Sequence, residues 1–140
     1  MSVFVDTNIL VYAHDETAAE KHLVANRLVR ELWQLPVLPV ISVQVCLELW
    51  RVLNWSAQLA REEIGNLVGS YLQWRVIPED RELMAAALRL RREFGISIWD
   101  SCIVAAAQRG GVQQLWSVGM EPGKRFGAVT VVNPLVPDTG

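Results

Sequence analysis

Cysteine and histidine are scarce in this sequence, with only two residues of each type among 140. Zinc sites in proteins are built mainly from these two residue types. His14 and His22 are expected at the surface, and Cys46 and Cys102 stand apart in apolar contexts that are typical of small core residues. We therefore expect no zinc site. Because no signal peptide is recognisable, the thiols are expected to stay reduced in a cytosolic protein.

Positive charge and long apolar runs are lacking as well. The formal net charge is −2, and no stretch of the chain is rich in lysine and arginine. A nucleic-acid partner would have to be held by a local patch or through metal ions, because there is no bulk positive field. No apolar run approaches the roughly 18 residues needed to cross a bilayer, so no membrane-spanning segment is expected.

Hydrophobic residues make up 51% of the chain, and they form short runs that alternate with stretches of helical periodicity. The runs predict strands and the periodic stretches predict helices: strands at 2–5, 37–41, 74–78, 114–118 and 128–132, and helices at 18–33, 43–55, 58–73, from Asp80 to Phe94 and around Asp100. Ser42 and Asp80 are typical helix caps, and Gly95 is a typical helix end. We predict one doubly wound α/β domain over residues 1–140, with a parallel sheet covered by helices on both faces.

The run "ISIWDSCIVAAA" at 96–107 places one carboxylate, Asp100, in an apolar helical stretch. Its helical neighbours Ile96, Ile103 and Val104 predict a packed stripe. A carboxylate buried there costs several kcal/mol unless a partner compensates it. The helix dipole offers only about 0.3–1 kcal/mol. Asp100 is therefore predicted to be a functional residue with a partner.

Two more acids are predicted to reach the same end of the sheet. Asp6 follows the first strand, and Glu48 lies in the second turn of the helix after the second strand. In open α/β sheets the functional crevice lies beyond the carboxyl ends of the strands. Each acid has an ordinary structural alternative. Asp6 could cap a helix that starts near Asn8. Glu48 shares a polar stripe with Gln44 and Arg51, so it could lie on a solvated face or form an i,i+3 ion pair with Arg51.

Together with Asp100, these acids predict a divalent-metal site. Gathered carboxylates repel each other and bind protons unless a cation neutralises them. Oxygen ligands in an open pocket suit Mg²⁺ or Mn²⁺, which keep several waters and bind phosphate oxygens. The expected partner of Asp100 is thus a metal ion.

Three motifs carry a resemblance to a known family: "VFVDTNILVYA", the glutamate of "VCLELWRVL", and "ISIWDSCIVAAA". Their order and spacing resemble those of PIN-domain ribonucleases, and most of all those of the VapC toxins of bacterial toxin–antitoxin systems. The resemblance spans nearly the whole chain, since "VTVVNP" is similar to the closing strand of one VapC subgroup.

The resemblance implies a three-layer α/β/α sandwich and Mg²⁺- or Mn²⁺-dependent RNA cleavage. It also implies a homodimer and a VapB-like antitoxin partner whose tail occupies the active-site groove. By motif, Asp6, Glu48 and Asp100 would be the catalytic metal ligands. Thr7 and Asn8 would hold the loop at Asp6 by hydrogen bonds, and Ser117 matches the hydroxyl residue that opens the fourth motif.

The fourth motif departs from the family pattern. Where the similar subgroup reads roughly Ser-Glu-Asp-Met, this chain reads "SVGM", so Gly119 takes the place of the fourth acid. Either three acids bind the metal, with Glu121 as a possible substitute, or the protein is a weakened nuclease that acts by binding RNA or an antitoxin. Gly119 would also suit a backbone turn with positive φ.

An endoribonuclease is the leading hypothesis, with Arg51, Lys124 and Arg125 as candidate phosphate contacts or simply solvated side chains. A phosphatase of the haloacid dehalogenase type would need a second aspartate two residues after Asp6, where Asn8 stands. The six tryptophans are expected mainly in the core; among Trp33, Trp50, Trp55 and Trp74, those at 50 and 55 are also candidates for an interface.

Overall fold

The computed structural model describes residues 2–56 and 59–136. Six strands and six α-helices lie in these ranges: β1 (Val3–Val5), α1 (Thr7–His14), α2 (Glu20–Trp33), β2 (Val40–Ser42), α3 (Val43–Ser56), α4 (Arg61–Ser70), β3 (Arg75–Ile77), α5 (Arg81–Phe94), α6 (Ile98–Arg109), β4 (Gln114–Trp116), β5 (Arg125–Phe126) and β6 (Val129–Val132). Short 3₁₀ helices occupy Glu16–Ala18 and Tyr71–Gln73.

The strands form one sheet in the order β3-β2-β1-β4-β6-β5. All neighbouring strands run parallel except β5, which is antiparallel to β6. Contacts join α1 to α2 and α3, and α3 to α4, while α5 packs on α6. Right-handed crossovers place the first group on one face of the sheet and the second on the other. The predicted α/β/α sandwich with a mostly parallel sheet is confirmed.

The centre of the sheet is its most deeply buried part. All three residues of β1 are buried, and Phe4 has no exposed surface. A strand covered by helices on both faces reads as a continuous apolar run, which is how "VFV" reads in the sequence. Burying a side chain of this size stabilises the fold by about 1.5–3 kcal/mol, so β1 anchors the residues that follow it.

The strands that follow β1 in the chain lie on both sides of it in the sheet. The chain moves from β1 to β2 and β3 on one side, and then returns to place β4 on the other side of β1. The gap between the carboxyl ends of β1 and β4 is therefore the point where the winding reverses, the usual place for a ligand crevice in open α/β sheets.

Several predicted helix boundaries are confirmed. Ser42 accepts a hydrogen bond from the Val45 backbone at the start of α3, at 3.4 Å. Asp80 caps α5 by accepting from the Leu83 backbone at 2.8 Å. Gly95 ends α5 in the left-handed conformation, with φ of 67°.

The prediction of one helix over 58–73 is wrong in extent. Residue 58 lies outside the described residues, α4 spans Arg61–Ser70, and a separate 3₁₀ turn follows it. The helix predicted to start at 18 begins at Glu20, after another 3₁₀ turn. Strand β5 was not predicted at all. Among the described residues, no helix is long and apolar enough to cross a membrane.

Candidate active site

Asp6 lies at the carboxyl end of β1, where it is also the N-cap of α1. Its Oδ1 accepts a hydrogen bond from the Thr7 backbone N–H at 2.7 Å, and its Oδ2 accepts one from the Ser117 hydroxyl at 2.9 Å. The side chain is buried, with 8% of its surface exposed. This burial raises the pKa of Asp6 to about 6, against the lowering effect of the two hydrogen bonds. Asp6 thus caps α1, as its structural alternative requires, and also lies at the end of a central strand, as the site prediction requires.

Ser117 follows β4 and brings the two central strands together at their carboxyl ends. The Asp6 backbone N–H donates to the Trp116 carbonyl at 2.9 Å, directly before Ser117. Ser117 is fully buried, and its hydroxyl accepts from the Met120 backbone at 3.3 Å while donating to Asp6. A hydroxyl that donates to a carboxylate fixes its orientation, so Ser117 positions Asp6.

Both oxygens of Glu48 are held by neighbouring side chains. The Thr7 hydroxyl donates to Oε2 at 2.8 Å, and the Gln44 amide donates to Oε1 at 3.0 Å. Thr7 thus contacts Glu48 through its side chain and Asp6 through its backbone. The alternative ion pair between Glu48 and Arg51 does not form, since the one salt bridge within the described ranges joins Arg109 to Asp80.

Asp100 lies in the first turn of α6, whose N-cap is Ser97. Its side chain is half-buried rather than buried as predicted. Side chains in a helix lean toward its N-terminus, so the Asp100 side chain points toward the start of α6, away from the packed residues Ile103 and Val104. Desolvation raises the pKa of Asp100, and the charge of Glu48 raises it further.

The carboxylates of Asp6, Glu48 and Asp100 interact electrostatically. We call these three residues the acid cluster. The charges of Glu48 and Asp100 both raise the pKa of Asp6. In the part of the chain that the structure describes, no three Asp, Glu, His or Cys side chains are grouped so that they could hold a metal ion. The acid cluster therefore brings carboxylates into one region without forming a closed set of ligands.

A groove of about 790 Å³ opens between α3 and the first turn of α6. We call it the acidic groove, because Glu48 and Glu79 both line it; Thr7, Arg51 and Trp99 lie along it as well. Glu48 is the member of the acid cluster that lines this groove, so the groove gives solvent and ligands access to the cluster on the Glu48 side.

The sequence did not predict a role at this site for Glu79 or for Gln44, which was placed only on the polar stripe of Glu48. Glu79 accepts a hydrogen bond from the Gln44 backbone at 3.0 Å, so it caps the start of α3. The Gln44 amide also donates to the Trp99 carbonyl at 3.3 Å and so links α3 to α6. Signals for both were present, because Glu79 follows β3 closely and Gln44 lies one helical turn before Glu48.

The remaining predicted site residues lie around the rim. Asn8 is exposed and lines the acidic groove. Gly119 follows Ser117 by two residues, and a Cβ at that position would meet only the Asn8 amide nitrogen, at 3.9 Å. Gly119 is not among the glycines with positive φ, so the idea that the backbone requires glycine there is wrong. Glu121 is exposed on the loop that follows.

The surface prediction for the histidines is wrong, because both are half-buried. The His14 ring is hydrogen-bonded to the Tyr71 hydroxyl, and desolvation lowers the pKa of His14 to about 4. His22 contacts the Tyr12 carbonyl at 2.9 Å. Neither histidine belongs to the acid cluster.

The tryptophans divide into two groups. Trp74 is buried, and Trp33 packs against both Trp74 and Tyr71, as the core prediction requires. Trp50 and Trp55 are 48% and 89% exposed on α3, so the core prediction is wrong for them.

Comparisons with known proteins agree with this architecture. The family model described as "PIN domain" matches residues 3–118. A search of curated proteins found no match. VapC20 of Mycobacterium tuberculosis, described as a sarcin-ricin loop cleaving toxin, is similar with 23% identity and a TM-score of 0.67, over 84% of this chain and 89% of that one.

Two solved complexes are similar as well. A toxin–antitoxin complex from Klebsiella pneumoniae gives 19% identity and a TM-score of 0.69, over 96% of this chain and 98% of that chain. VapBC2 from Rickettsia felis, bound to a fragment of its promoter DNA, gives 20% identity and a TM-score of 0.64, over 94% and 97%. At these identities the likeness concerns the fold.

Proposed function

The chain belongs to the PIN domain family, and from that membership we propose that it is a metal-dependent endoribonuclease, the toxin of a type II toxin–antitoxin system. The observation that carries the proposal is the acid cluster at the point where the winding of the sheet reverses. A carboxylate as buried as Asp6 costs stability when ionised, and no lysine or arginine is among the groups that influence its pKa. Such an unfavourable arrangement is typical of functional sites.

The chemistry of the donors fits a hard divalent cation. Asp6, Glu48 and Asp100 offer carboxylate oxygens, which Mg²⁺ and Mn²⁺ prefer. No cysteine or histidine belongs to the acid cluster. A bound Mg²⁺ or Mn²⁺ supplies positive charge that offsets the charge developing on the scissile phosphate. That charge also explains how a protein of net charge −2 would engage RNA.

The chain's own residues would orient these ligands. Ser117 and the Thr7 backbone fix the two oxygens of Asp6, while the Thr7 hydroxyl and Gln44 fix those of Glu48. Carboxylates that are already held in place lose little conformational entropy when they bind a metal ion, so these hydrogen bonds would favour metal binding. Arg51 lines the acidic groove and would contact a neighbouring phosphate.

The partners in this proposal are RNA, a VapB-like antitoxin and a second copy of the chain, all in the cytosol. Similar structures include toxin–antitoxin complexes, which supports an antitoxin partner. Exposed apolar side chains on α3, Leu47 and Trp50 among them, offer the contact area that such a partner needs. A single domain over residues 1–140 remains part of the prediction.

A second candidate function is RNA or antitoxin binding without efficient cleavage. It rests on Gly119, which leaves the expected place of the fourth acid without a carboxylate. Glu121 is the nearest acid along the chain after this position, but it is exposed on the loop.

The test is an RNA cleavage assay with purified protein in Mn²⁺ or Mg²⁺, with and without EDTA. Cleavage that needs the metal and is lost in Asp100→Asn is the expected result. Glu62→Gln is the matched control, since Glu62 is an exposed acid on α4. Metal-dependent cleavage that survives in Asp100→Asn would refute the site assignment. RNA binding without cleavage by the wild-type chain would favour the second function.

A further inference from the structure

Gln44 forms hydrogen bonds with residues of three segments of the chain. Its backbone N–H donates to Glu79 Oε1 at 3.0 Å, in the loop before α5. Its side-chain amide donates to Glu48 Oε1 on α3 at 3.0 Å and to the Trp99 carbonyl on α6 at 3.3 Å. A glutamine one helical turn before an acid often forms a weak hydrogen bond with it. The bonds to Glu79 and to α6 go beyond such a local pair.

The bond to the Trp99 carbonyl fixes the place of Asp100. This carbonyl and the Asp100 backbone N–H belong to one peptide group, which is planar and rigid. Gln44 holds the oxygen of that group, and the Ser97 hydroxyl holds its N–H at 3.0 Å. Because the Cα of Asp100 lies in the same plane, these two bonds fix the point from which the Asp100 side chain extends.

A continuous path of hydrogen bonds thus connects the three members of the acid cluster. The Thr7 backbone donates to Asp6, and the Thr7 hydroxyl donates to Glu48 Oε2 at 2.8 Å. Gln44 continues the path from the other oxygen of Glu48 to the peptide group before Asp100. Carboxylates of like charge repel each other unless a cation neutralises them, so this path keeps Glu48 and Asp100 from moving apart.

We propose that Gln44 is a positioning residue that sets the separation of Glu48 and Asp100 and thereby makes the acid cluster select small divalent cations over larger ones. The inference rests on the proposed function, because it requires a metal ion shared by these acids. Mg²⁺ demands octahedral geometry with ligands at about 2.0–2.1 Å, whereas Ca²⁺ accepts flexible arrangements at about 2.3–2.6 Å. Acids with a fixed spacing favour the smaller ion, and acids that are free to move adapt to the larger one.

The test compares the affinities for Mg²⁺ and Ca²⁺, measured by isothermal titration calorimetry on metal-free protein. Gln44→Met keeps the length and helix propensity of the side chain but removes both N–H donors. Gln44→Asn keeps the donors on a side chain that is one methylene shorter and should not span both acceptors. The matched control is Gln108→Met in the last turn of α6, which removes a similar bond, from Gln108 to the Phe126 carbonyl at 3.1 Å.

We expect Gln44→Met to lower the Mg²⁺ affinity by about 10- to 100-fold, the usual effect of removing a residue that orients metal ligands. The Ca²⁺ affinity should fall by a smaller factor, so the ratio of the two affinities should shift toward Ca²⁺. Gln44→Asn should show the same shift, and Gln108→Met should bind both ions like the wild type. Thermal unfolding verifies that each variant folds, and either Gln44 variant suffices for the comparison. A fall by the same factor for both ions would mean that the role of Gln44 is only structural, and the proposal would be wrong.

The outcomes separate this inference from the proposed function. If the wild type cleaves RNA and the Gln44 variants keep its Mg²⁺ affinity, the positioning role is refuted and the nuclease stands. If the ratio of affinities shifts as expected but no RNA is cleaved, the positioning role stands and the nuclease falls. If the wild type binds neither ion, the acid cluster is not a metal site and both proposals are wrong.

Discussion

At the residue scale, ionised Asp6 destabilises the metal-free fold, and its hydrogen bonds offset only part of this free-energy cost. Two hydrogen bonds hold its carboxylate, yet burial still raises its pKa to about 6 from 3.8. A difference of about two pH units corresponds to roughly 3 kcal/mol between the protonated and ionised forms. Near neutral pH the metal-free protein therefore gives up stability to keep this group ionised.

We predict that Asp6→Asn stabilises the metal-free protein at pH 7 by up to about 3 kcal/mol. Asparagine keeps an oxygen for the Thr7 N–H and an amide that can donate to Ser117. The pKa of Asp6 is higher in the folded state, so protonation of Asp6 stabilises the fold. This contribution to the free energy of unfolding is fully present below pH 3.8 and is lost as pH rises through about 6. Urea unfolding should thus show the two proteins to be alike at pH 3.5 and different at pH 7.

Glu62→Gln, which changes an exposed acid, should shift stability little at either pH. A clear loss of stability in metal-free Asp6→Asn at pH 7 would mean that the carboxylate is structural, and the site assignment would fail.

Gly119 permits a second prediction at this scale. A Cβ there meets nothing closer than 3.9 Å, and the backbone φ is not positive, so Gly119→Asp should fold like the wild type. The added carboxylate should raise Mn²⁺ affinity, measured by calorimetry, and speed RNA cleavage. In metal-free, low-salt buffer it should slightly lower the free energy of unfolding, because like charges repel.

Gly119→Asn is the matched control for this variant, since it adds the same bulk without the charge. Equal Mn²⁺ affinities for the Asp and Asn variants would show that position 119 is not the vacant ligand position.

At the element scale, the sequence predicted elements with strong local signals and missed those without them. Capping residues and the glycine after α5 placed the ends of helices correctly. Strand β5 has two residues, too few for any period to appear, and it exists because it pairs with β6. The break between α3 and α4 was predicted, but the start of α4 at Arg61 was placed three residues too early because neither glycine nor proline marks it, although Glu62 and Glu63 are typical of a helix start.

The same limit applied to the candidate site. The acid cluster followed from a topological rule, because the carboxyl ends of parallel strands and the N-termini of the helices between them lie at the same edge of the sheet. Its hydrogen bonds did not follow, since the pairing of Thr7 with Glu48 spans 41 residues. The exposure of Asp100 depended on where the end of α6 meets the sheet edge, which periodicity within one helix does not contain.

A paired prediction at this scale concerns Gly95, which follows the last residue of α5, and Gly65, which lies within α4. Gly95→Ala should destabilise the protein by about 1 kcal/mol or more, because φ is 67° there and a Cβ is unfavourable in that region. Gly65→Ala should stabilise it by up to about 1 kcal/mol, because Gly65 lies within α4 with open space around it. Chemical denaturation measures both, and effects of the same sign would contradict the assigned backbone conformations.

At the scale of the whole molecule, the acid cluster connects metal binding to the stability of the fold. Its members lie directly after β1, in α3 and in α6, segments that are far apart in the chain and meet only in the folded state. A ligand that binds only the folded protein raises its stability with the logarithm of ligand concentration.

We therefore predict that the melting temperature rises steadily as Mn²⁺ is added above its dissociation constant. The rise should be much smaller for Asp6→Asn and for Asp100→Asn, while Glu62→Gln should match the wild type. Differential scanning calorimetry at several Mn²⁺ concentrations is the measurement. A melting temperature that does not respond to Mn²⁺ in the wild type would contradict a metal site built on the acid cluster.

The pairing of β1 with β4 also has a consequence for the protein's synthesis. Asp6 and its hydrogen-bond partner Ser117 are 111 residues apart, and at roughly 5–20 residues per second the ribosome needs on the order of 5–20 s to make that interval. During that time the first strand lacks one of its two neighbours, and Asp6 lacks the hydroxyl that orients it. A nascent or truncated chain that ends before β4 would thus lack the hydroxyl that orients Asp6, and the acid cluster would take its final form only after β4 has been made.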